Sequence, residues 1–415
     1  MNSTSNPSGE PTVVIIGGGH AGGSVAASLR QTGWDGQIVI FGDEPELPYQ
    51  RPPLSKELLT GETEIDKLFL RKRSFYETGH IELRLNEKIS KIDRETCSIV
   101  CESGERTPFT HLVIATGARP RELPNASKDE QGVFYLRNLD QARKLASALK
   151  LAKRLAVIGG GYIGLEVAAS ARKLGVDVVV VEAENRLLAR VASAELAEFF
   201  LTKHQNLGVK SIVNAQMCEL VRESGTLIGA KLSNGQILDC DALLIGIGAI
   251  PNDTLARDAN LLCDNGIIVD EDARTSDTKI FAVGDCTRRP MSGLEGLHRI
   301  ESVPNALEQA KQAAAAICGK PRPKPEVPWF WSNQFDMRLQ IAGLPNGATQ
   351  RVSRKLPNDG FAVYHLGNQG RLHAVEAVNC PAEFMTGRQF INSQVIVNSD
   401  ALNSESLPLS KCVCA

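Results

Sequence analysis

Six glycines form two clusters with the same GxGxxG spacing: Gly17, Gly19 and Gly22, and then Gly159, Gly161 and Gly164. In such a cluster the first glycine makes a tight turn, the second lets the backbone approach a pyrophosphate, and the third lets a helix pack closely on a strand. The phosphate then lies at the helix N-terminus, where backbone N–H groups attract negative charge. Each cluster therefore predicts a dinucleotide site, which His20 and Ala21 extend in the first case and Tyr162 and Ile163 in the second.

An acidic residue follows the second cluster at the distance expected for a ribose contact. Glu182 lies about 20 residues further on, at the end of an apolar run, where its carboxylate accepts hydrogen bonds from a ribose 2′-OH and repels a 2′-phosphate. This favours NADH over NADPH, but Arg186 and Arg190 follow closely and leave NADPH open as a weaker donor. An ordinary solvated charge at a strand end is the alternative for Glu182. In the first module Gly42 has the comparable place, and Asp43 follows it as the candidate ribose contact.

The elements that must position these glycines are the same in both places. An apolar run predicts a strand directly before each cluster, at 12–16 and 155–158, and a second strand follows each helical stretch, at 37–41 and 177–181. The chain thus contains a duplicated βαβ module. One such module is typical of any dehydrogenase, whereas two in one chain predict a resident flavin dinucleotide, FAD, on one and a nicotinamide that delivers hydride to it on the other.

Further elements complete two α/β domains and a third, smaller one. They are a meander of β-type stretches between 86 and 117, a strand in 241–252, a segment 267–285 ending in FAVGDC, a helix at 304–317, and alternating strands at 361–365 and 372–378 around the hairpin signal GNQG. We therefore expect an α/β fold with two Rossmann-like dinucleotide-binding domains and a small C-terminal α+β domain after a proline-rich linker. The predicted bounds are 1–118 and 247–326 for the FAD domain, 119–246 for the NAD domain and 327–415 for the C-terminal interface domain.

Composition and charge exclude several other classes of protein. Of the 415 residues, 42% are apolar and 23% are charged, and the net charge of -2 gives no general attraction to nucleic acid or to an anionic membrane. No apolar run is long enough to cross a membrane, and the first residues, MNSTSNPSGEP, carry no signal pattern. We expect a soluble cytoplasmic protein, a monomer or a homodimer, with a short disordered start.

The cysteines give no sign of a redox or metal centre. There are ten of them, scattered, with no CxxC pair and no zinc-like spacing, and we interpret them as buried thiols. Cys412 and Cys414 lie close together, but two ligands are too few to hold a metal ion. The pattern therefore predicts no bound metal.

Seven longer motifs carry a resemblance to a known family: LPYQRPPLSKELL at 47–59, HLVIATGARPR at 111–121, VIGGGYIGLEVAA at 157–169, GIGAIPN at 246–252, TSDTKIFAVGDC at 275–286, RIESVPNALEQAK at 299–311 and PWFWSNQFD at 328–336. On these motifs the sequence, from about residue 12 to 410, resembles the two-dinucleotide-binding flavoproteins of the glutathione-reductase type. Within that group it is similar to the FAD-dependent ferredoxin reductases of bacterial oxygenase systems.

The resemblance implies which residues contact the two cofactors. Asp285 is similar to an aspartate that hydrogen-bonds the FAD ribityl chain, and it ends an apolar strand where an unpartnered carboxylate is costly to bury. Beside the first glycine cluster, the other implied FAD contacts are Asp43, Arg51, Lys56, Ile89, Ala115, Thr116, Gly117, Arg137, Val303 and Trp331. In the alternative interpretation Asp43, Lys56 and Arg137 are surface charges. Beside the second cluster, the implied NAD contacts are Glu182, Arg190 and Gly248.

Lys56 and Glu166 form a joint hypothesis for the catalytic centre. The resemblance implies that the lysine of RPPLSK and the glutamate of GLE meet near the flavin N5, where hydride arrives. There the pair would polarise the flavin and hold the nicotinamide in register. A simple ion pair on a helix surface is the alternative.

The destination of the electrons follows from what the motifs lack. Disulfide reductases of this type need a cysteine pair beside the flavin, and the corresponding segment 47–59 contains no sulfur. The resemblance instead implies an external [2Fe-2S] ferredoxin, Rieske-type or putidaredoxin-like, that supplies a ring-hydroxylating dioxygenase or a cytochrome P450. Arg71, Lys311 and Trp331 are similar to contacts for such a partner, with solvated charges and a core tryptophan as the alternatives. Two other functions stay open, a redox signalling flavoprotein similar to apoptosis-inducing factor and an NADH oxidase.

Overall fold

Two parallel five-stranded sheets organise the chain, one in each of the two units into which it divides. The computed structural model describes residues 10–127, 130–292, 294–404 and 407–414. Unit 1 comprises Met1–Gln50, Ile65–Arg119 and Ile250–Glu326, and unit 2 comprises Arg51–Glu64, Pro120–Ala249 and Val327–Ala415. The predicted disordered start lies outside the described residues, and the three-domain division with its bounds stays a prediction.

The regular elements are numbered along the chain. The strands are β1 (Thr12–Ile16), β2 (Gln37–Gly42), β3 (Ile81–Leu85), β4 (Ile89–Asp93), β5 (Ser98–Cys101), β6 (Arg106–Pro108), β7 (His111–Ile114), β8 (Ala118–Pro120), β9 (Val133–Phe134), β10 (Arg154–Ile158), β11 (Asp177–Val181), β12 (Val209–Ile212), β13 (Met217–Glu223), β14 (Thr226–Leu232), β15 (Ile237–Asp239), β16 (Ala242–Ile245), β17 (Ala249–Pro251), β18 (Ile267–Ile268), β19 (Ile280–Ala282), β20 (Thr287–Pro290), β21 (Leu297–His298), β22 (Trp329–Gln334), β23 (Met337–Gly343), β24 (Gln350–Leu356), β25 (Gly360–Leu366) and β26 (Leu372–Val378). The helices are α1 (His20–Thr32), α2 (Glu57–Thr60), α3 (Arg73–Thr78), α4 (Leu139–Leu149), α5 (Tyr162–Lys173), α6 (Ala194–Asn206), α7 (Thr254–Asp258), α8 (Val303–Ile317), α9 (Pro381–Asn392) and α10 (Ser399–Leu402).

In unit 1 the parallel sheet has the strand order β19-β7-β1-β2-β3. All five residues of the central strand β1 are buried, as expected for a parallel strand that is covered on both faces. Helix α1 packs against α8 and ends at Gly33, whose φ of 96° gives the left-handed C-cap that favours glycine. The antiparallel sheet β4-β5-β6 confirms the predicted meander.

In unit 2 the parallel sheet has the strand order β12-β11-β10-β16-β9. The later part of this unit forms an antiparallel sheet, β22-β23-β26-β25-β24, on which helix α9 packs. Strands β25 and β26 pair directly, and this confirms the hairpin predicted around GNQG. Helix α6 begins at Ser193, whose side chain accepts a hydrogen bond from the backbone N–H of Leu196 and so caps the helix.

The predicted α/β class and the duplicated module are confirmed. Strands β1 and β11 have the predicted bounds, β2 is one residue longer, and β10 and α8 each begin one residue earlier. The long apolar runs bury most of their residues in both sheets. A local pattern that strong leaves little freedom for tertiary contacts to move a boundary.

The interpretation of the cysteines as buried thiols is wrong for two of them, because Cys218 and Cys414 are exposed. Cys218 follows the buried Met217 on β13, and successive side chains of a strand point to opposite faces. Cys414 lies outside helices and strands. Across the described ranges, no helix is long and apolar enough to cross a membrane, and no cluster of three or more His, Cys, Asp or Glu side chains is arranged to hold a metal ion.

Candidate active site

The first glycine turn, in unit 1, has no room for side chains. Gly17 has a φ of 118°, and a Cβ atom there would lie 2.2 Å from the carbonyl oxygen of Ala115. A Cβ on Gly22 would lie 2.0 Å from the carbonyl oxygen of Gly17. Gly19 is the N-cap of α1 and carries no capping side chain, so the first N–H groups of the helix, from His20 onward, remain available to an anion. This cradle fits the pyrophosphate of a dinucleotide.

Several other residues predicted for FAD lie in unit 1 near this turn. Asp285 belongs to a 3₁₀ turn, Gly284–Cys286, that follows β19. A Cβ on Gly284 would lie 3.1 Å from that of Ala21, so this turn and the start of α1 are adjacent. Asp43 is exposed and directly follows β2, and Ile89 is buried at the start of β4. Thr116 and Gly117 come directly after Ala115, and Val303 is the first residue of α8.

A buried glutamine that the sequence analysis missed supports the Asp285 turn. Gln309 on α8 is fully buried, and its Oε1 accepts hydrogen bonds from the Gly284 N–H at 2.8 Å and from the Thr287 hydroxyl at 3.0 Å. These two bonds fix the backbone on both sides of Asp285. A polar residue on the buried face of an alanine-rich helix is the signal that marks it in the sequence.

The second glycine turn, in unit 2, repeats the geometry of the first. A Cβ on Gly159 would lie 2.3 Å from the carbonyl oxygen of Gly246, and a Cβ on Gly164 would lie 2.2 Å from that of Gly159. Gly161 is the N-cap of α5, and a Cβ there would meet no described protein atom within 4 Å. The middle glycine therefore faces open space at the helix N-terminus, which fits the approach of a second pyrophosphate.

The carboxylate of Glu182 lies at the edge of this second turn. It accepts hydrogen bonds from the backbone N–H groups of Gly160 at 2.7 Å and of Glu184 at 3.0 Å. Two of its lone-pair positions are thereby used, and a carboxylate has about four. The remaining positions suit a ribose hydroxyl, and the negative charge opposes a 2′-phosphate.

The two arginines after Glu182 have different surroundings. The guanidinium of Arg186 donates to backbone carbonyls of its own loop, at 3.0 Å for Ala189 and 3.1 Å for Ala192, with longer contacts to residues 187, 188 and 193. Arg190 is exposed, and its guanidinium lies about 3.4 Å from where a Cβ on Gly248 would stand. The structure thus brings the predicted NAD contacts Arg190 and Gly248 together, while Arg186 closes its own loop.

The start of α5 carries the two other residues predicted for NAD. Ile163 is 47% exposed, which is unusual for a large apolar side chain. Tyr162 donates its hydroxyl to the carbonyl oxygen of Val191 at 3.0 Å and packs its ring on Phe330, 4.7 Å between centroids. Burial raises the pKa of the Tyr162 hydroxyl, so it stays protonated at neutral pH.

Lys56 and Glu166 form an ion pair within unit 2. Their Nζ and Oε2 atoms are 2.7 Å apart, and the side chains are 12% and 3% exposed. Glu166 lies on α5, and Lys56 directly precedes α2. The pair is therefore buried, and the alternative of an ion pair on a helix surface is wrong, because β22 of the C-terminal sheet covers this part of α5.

Two serines complete the coordination of the Glu166 carboxylate. Ser55 donates to Oε2 at 2.5 Å, and Ser332 on β22 donates to Oε1 at 2.7 Å. With Lys56, the carboxylate accepts three charge-assisted hydrogen bonds, which are about twice as strong as neutral ones. Its position is therefore fixed from three directions.

The hydrogen-bonded chain continues from Ser332 to a buried histidine. The side-chain amide of Gln334 donates to the Ser332 hydroxyl at 3.1 Å, and its carbonyl lies 2.8 Å from Nε2 of His204 on α6. Burial lowers the pKa of His204 to about 4, so the ring is neutral and Nε2 donates to Gln334. The sequence analysis missed Ser55, Ser332, Gln334 and His204. The alternation in WFWSNQ, with two polar side chains on one strand face, is the signal for two of them.

The remaining predicted residues lie in both units. In unit 2, Arg51 donates to the carbonyl oxygen of Arg137 at 2.7 Å, and Trp331 packs on Trp329 with 5.4 Å between ring centroids. In unit 1, Arg71 is exposed with its guanidinium 5.7 Å from the Phe75 ring centroid, and Lys311 is 55% exposed and lies 3.5 Å from Glu326. Their roles toward a cofactor or a partner stay predictions.

Comparison with known proteins defines the family. A family model described as pyridine nucleotide-disulphide oxidoreductase matches residues 11–310, and one described as reductase C-terminal matches residues 329–413. The chain belongs to the pyridine nucleotide-disulphide oxidoreductase family. The family, the class of enzyme and the cofactors FAD and NADH expected from the sequence are confirmed, and the chain is an oxidoreductase of the ferredoxin reductase group.

Individual relatives cover nearly the whole chain. A probable ferredoxin reductase CtmF of Castellaniella defragrans is 44% identical over 392 residues, which are 94% of this chain and 96% of the relative. Putidaredoxin reductase CamA of Pseudomonas putida is 38% identical, with 100% and 98% covered. The crystal structure of a covalent putidaredoxin reductase–putidaredoxin complex superposes with a TM-score of 0.93 at 38% identity, over 97% of this chain and 98% of the other.

Proposed function

We propose that this protein takes hydride from NADH onto FAD and passes single electrons to a [2Fe-2S] ferredoxin that supplies an oxygenase, either a ring-hydroxylating dioxygenase or a cytochrome P450. The observation that carries the proposal is the pair of matched glycine cradles in one chain, together with relatives that are named ferredoxin reductases. When bound, FAD supplies the conversion of a hydride into single electrons. The names of the relatives favour this function over redox signalling and over an NADH oxidase.

Each group of residues has a separate part in this proposal. The first cradle and the Asp285 turn hold FAD, and the second cradle with Glu182 holds NADH. Lys56 presents a fixed positive charge to the reacting flavin edge, and Glu166 orients it through their 2.7 Å contact. Because three donors hold Glu166, the lysine needs no reorganisation when hydride arrives.

We propose Arg71, Lys311 and Trp331 as individual residues that contact the ferredoxin. Ferredoxins of this class are acidic, and opposite charges at the rim of an interface accelerate association. Two cations are exposed in unit 1, and the Trp331 ring in unit 2 is half-buried. We also propose a cytoplasmic location, because the ten cysteines, all of which lie in the described ranges, are free thiols, as is usual in a reducing compartment.

Anaerobic mixing tests the electron path. The yellow protein is first mixed with one equivalent of NADH and then with an oxidised [2Fe-2S] ferredoxin, while flavin and iron–sulfur absorbance are followed separately. We expect rapid bleaching of the flavin and reduction of about two ferredoxins per NADH, as single-electron transfer requires. Slow bleaching, with a lasting charge-transfer band and no reduction of the ferredoxin, would contradict the proposal.

Charge reversal tests the docking surface. We expect Lys311→Glu to slow ferredoxin reduction at low ionic strength and to leave reduction of the flavin by NADH unchanged. Lys91→Glu, at an exposed position on β4 of the same unit, is the matched control with equal change in charge. Equal slowing in both variants would show that only net charge matters and would exclude Lys311 as a contact.

A further inference from the structure

The proposed reaction leaves a proton that must reach solvent. A hydride is one proton and two electrons, so NADH and two oxidised ferredoxins give NAD⁺, two reduced ferredoxins and one H⁺. The electrons leave for the partner, but the proton has no place on the ferredoxins. A group near the hydride site must therefore accept it and pass it on.

A cavity of about 560 Å³ lies beside the Lys56–Glu166 pair, wholly within unit 2. Both members of the pair line it, as do Glu57 and Glu62 near α2 and Lys173 at the end of α5. The β22–β23 hairpin contributes Asn333 on β22, Asp336 in the turn and Arg338 on β23. Ionisable and amide side chains thus surround the buried pair on this side, and the volume accommodates several waters, each needing roughly 10–15 Å³.

Two buried acceptors indicate that water fills this cavity. Oε2 of Glu57 and Oδ1 of Asn333 are shielded from bulk solvent and accept no hydrogen bond from any described residue. Buried polar atoms in native proteins nearly always have a partner, which is ordered water where no protein group is available. Since both residues line the cavity, we expect ordered water in it to donate to these two oxygens.

Glu57 is also the carboxylate next to the lysine in the chain. It opens α2 immediately after Lys56, and its free oxygen is an acceptor for a proton carried by cavity water. Glu62 and Asp336 also line the cavity, as do the cations Lys173 and Arg338. A proton that leaves Lys56 therefore meets water and carboxylates on this side.

We propose that this cavity is the outlet for the proton released when hydride is converted into single electrons. Lys56 gives a proton from Nζ to cavity water and takes the departing proton in its place, so that the lysine begins and ends charged. Glu166 keeps Lys56 in position throughout, and Glu57 accepts the proton from the cavity water and then releases it to bulk solvent. The inference rests on the proposed function, specifically on Lys56 facing the reacting edge of FAD.

Proton release can be timed against electron transfer. The holoprotein, reduced with one equivalent of NADH, is mixed in weakly buffered solution with an oxidised [2Fe-2S] ferredoxin and a pH-indicator dye. In Glu57→Gln and in Ala169→Leu, which fills the cavity from α5, we expect proton release to slow by about tenfold or more. Glu198→Gln, at an exposed position on α6, is the control and should match the unaltered protein.

Two further readouts separate an outlet from a structural defect. The midpoint potential of the bound flavin at neutral pH should be the same in all variants, because the ion pair itself is intact. Imidazole, added as a small proton carrier at a concentration too low to buffer the dye response, should restore the rate of proton release in Glu57→Gln but not in Ala169→Leu, where the cavity is filled.

The outcomes that overturn the inference are distinct from failure of the proposed function. Unchanged proton release in both variants, or a defect in Glu57→Gln that imidazole does not relieve, would show that the proton leaves by another route. If the unaltered protein reduces no ferredoxin, the proposed function itself fails, and proton release is then absent in every variant.

Discussion

The two glycine modules share a backbone and differ in their side chains. In both turns a Cβ on the third glycine would lie only 2.0–2.2 Å from a carbonyl oxygen, and in both the following helix has a glycine N-cap. Two residues after the third glycine, however, the first module has Ser24 and the second has Glu166. At the end of the second strand the residues are Gly42 and Glu182. The two modules therefore share the phosphate cradle, whereas the carboxylates of Glu166 and Glu182 are present in the second module only.

The loops that follow β2 and β11 also differ in the side-chain contacts that hold them. In unit 2, Arg186 donates to the carbonyls of residues 187, 188, 189, 192 and 193, and the Leu188 N–H donates to the Gly160 carbonyl at 3.0 Å. In unit 1, the corresponding chain is held by a side-chain contact between Tyr49 and Glu44 at 2.5 Å. The second module therefore ties its loop directly to the glycine turn through this backbone hydrogen bond.

The largest effects should come from the shared feature. In Gly22→Ala the new Cβ would lie 2.0 Å from the Gly17 carbonyl oxygen, and in Gly164→Ala 2.2 Å from that of Gly159. We expect the first variant to be isolated without FAD, hence colourless, and the second to be yellow but not bleached by NADH, as absorbance spectra will measure. Gly18→Ala is the control, since its Cβ would have ordinary contacts of 3.5 Å. A yellow Gly22→Ala protein would contradict the assignment of FAD to the first module.

The second-largest effect should come from the helix position two residues after the third glycine, where Ser24 and Glu166 correspond. Glu166→Ser gives the second module the residue of the first and leaves Lys56 without its partner. We expect the rate of flavin reduction by NADH to fall by about a hundredfold and the free energy of unfolding by about 3 kcal/mol. The converse control is Ser24→Ala, because Ser24 only donates to the His20 carbonyl of its own helix at 2.7 Å. Stopped-flow absorbance measures the rate of flavin reduction, and urea unfolding measures the free energy of unfolding. Equal losses in Glu166→Ser and Ser24→Ala would show that the two positions do not differ in function.

A buried histidine distinguishes the units by its pH response. The pKa of His204 is lowered to about 4 from an ordinary 6.5 by burial, which its bond to Gln334 only partly offsets. Between those pH values the unfolded chain binds the proton and the folded chain does not, so stability falls as pH drops from 6.5 to 4, by about 3 kcal/mol in all. We expect His204→Gln to lose this component of the pH dependence in urea unfolding.

The control for that experiment lies in unit 1. His111 is half-buried on β7, and its pKa is also lowered, by burial and by the charges of Arg274 and Lys279. Because water reaches part of its ring, His111→Gln should flatten the pH dependence less. If His204→Gln and His111→Gln change the pH dependence of the free energy of unfolding equally, burial of His204 does not control that dependence.

Nucleotide preference should respond to the strand-end carboxylate. Glu182→Gly copies the first module and removes a charged acceptor near the second turn. We expect kcat/KM for NADH to fall by about tenfold, the value of a lost charged hydrogen bond, and that for NADPH to fall less or to rise. Steady-state assays with both nucleotides test this, and an unchanged ratio would exclude Glu182 as the ribose contact.

The smallest effect is expected for the arginine that closes the loop. Because the Arg186 guanidinium is occupied by carbonyls, Arg186→Gln should raise KM for NADH and NADPH by the same factor and leave kcat and the ratio unchanged. Arg190→Gln, which removes the exposed guanidinium beside Gly248, should weaken NADPH more than NADH. A selective loss of NADPH in Arg186→Gln would show that this arginine binds the 2′-phosphate.

The sequence predicted the modules well because their signals are local. Glycines at fixed spacing, buried apolar strands and the helix after each turn all lie within about 30 residues of one another. The Lys56–Glu166 pair was within reach only through the family resemblance, since no local pattern joins residues 110 positions apart.

The serines around Glu166 were missed for a related reason. Ser332 lies 166 positions from Glu166, and a lone serine on a strand is ordinarily solvated. The loop role of Arg186 was missed because a charge near a nucleotide site suggests a ligand contact, whereas carbonyl groups of a tight loop compete for the same guanidinium. Long-range hydrogen bonds of this kind depend on tertiary placement, which periodicity does not encode.

The alternation of side chains along β22 has a consequence for substitutions at the proposed partner contact. Phe330, Ser332 and Gln334 point toward helices α5 and α6, so Trp329 and Trp331, one residue out of phase, point to the other face of the strand. Trp329 packs on Phe384 of α9, with 5.7 Å between ring centroids, and Trp331 is the residue that we propose as a ferredoxin contact. A substitution at Trp331 should therefore leave in place the row of side chains that holds Glu166, because one residue of register separates the two rows.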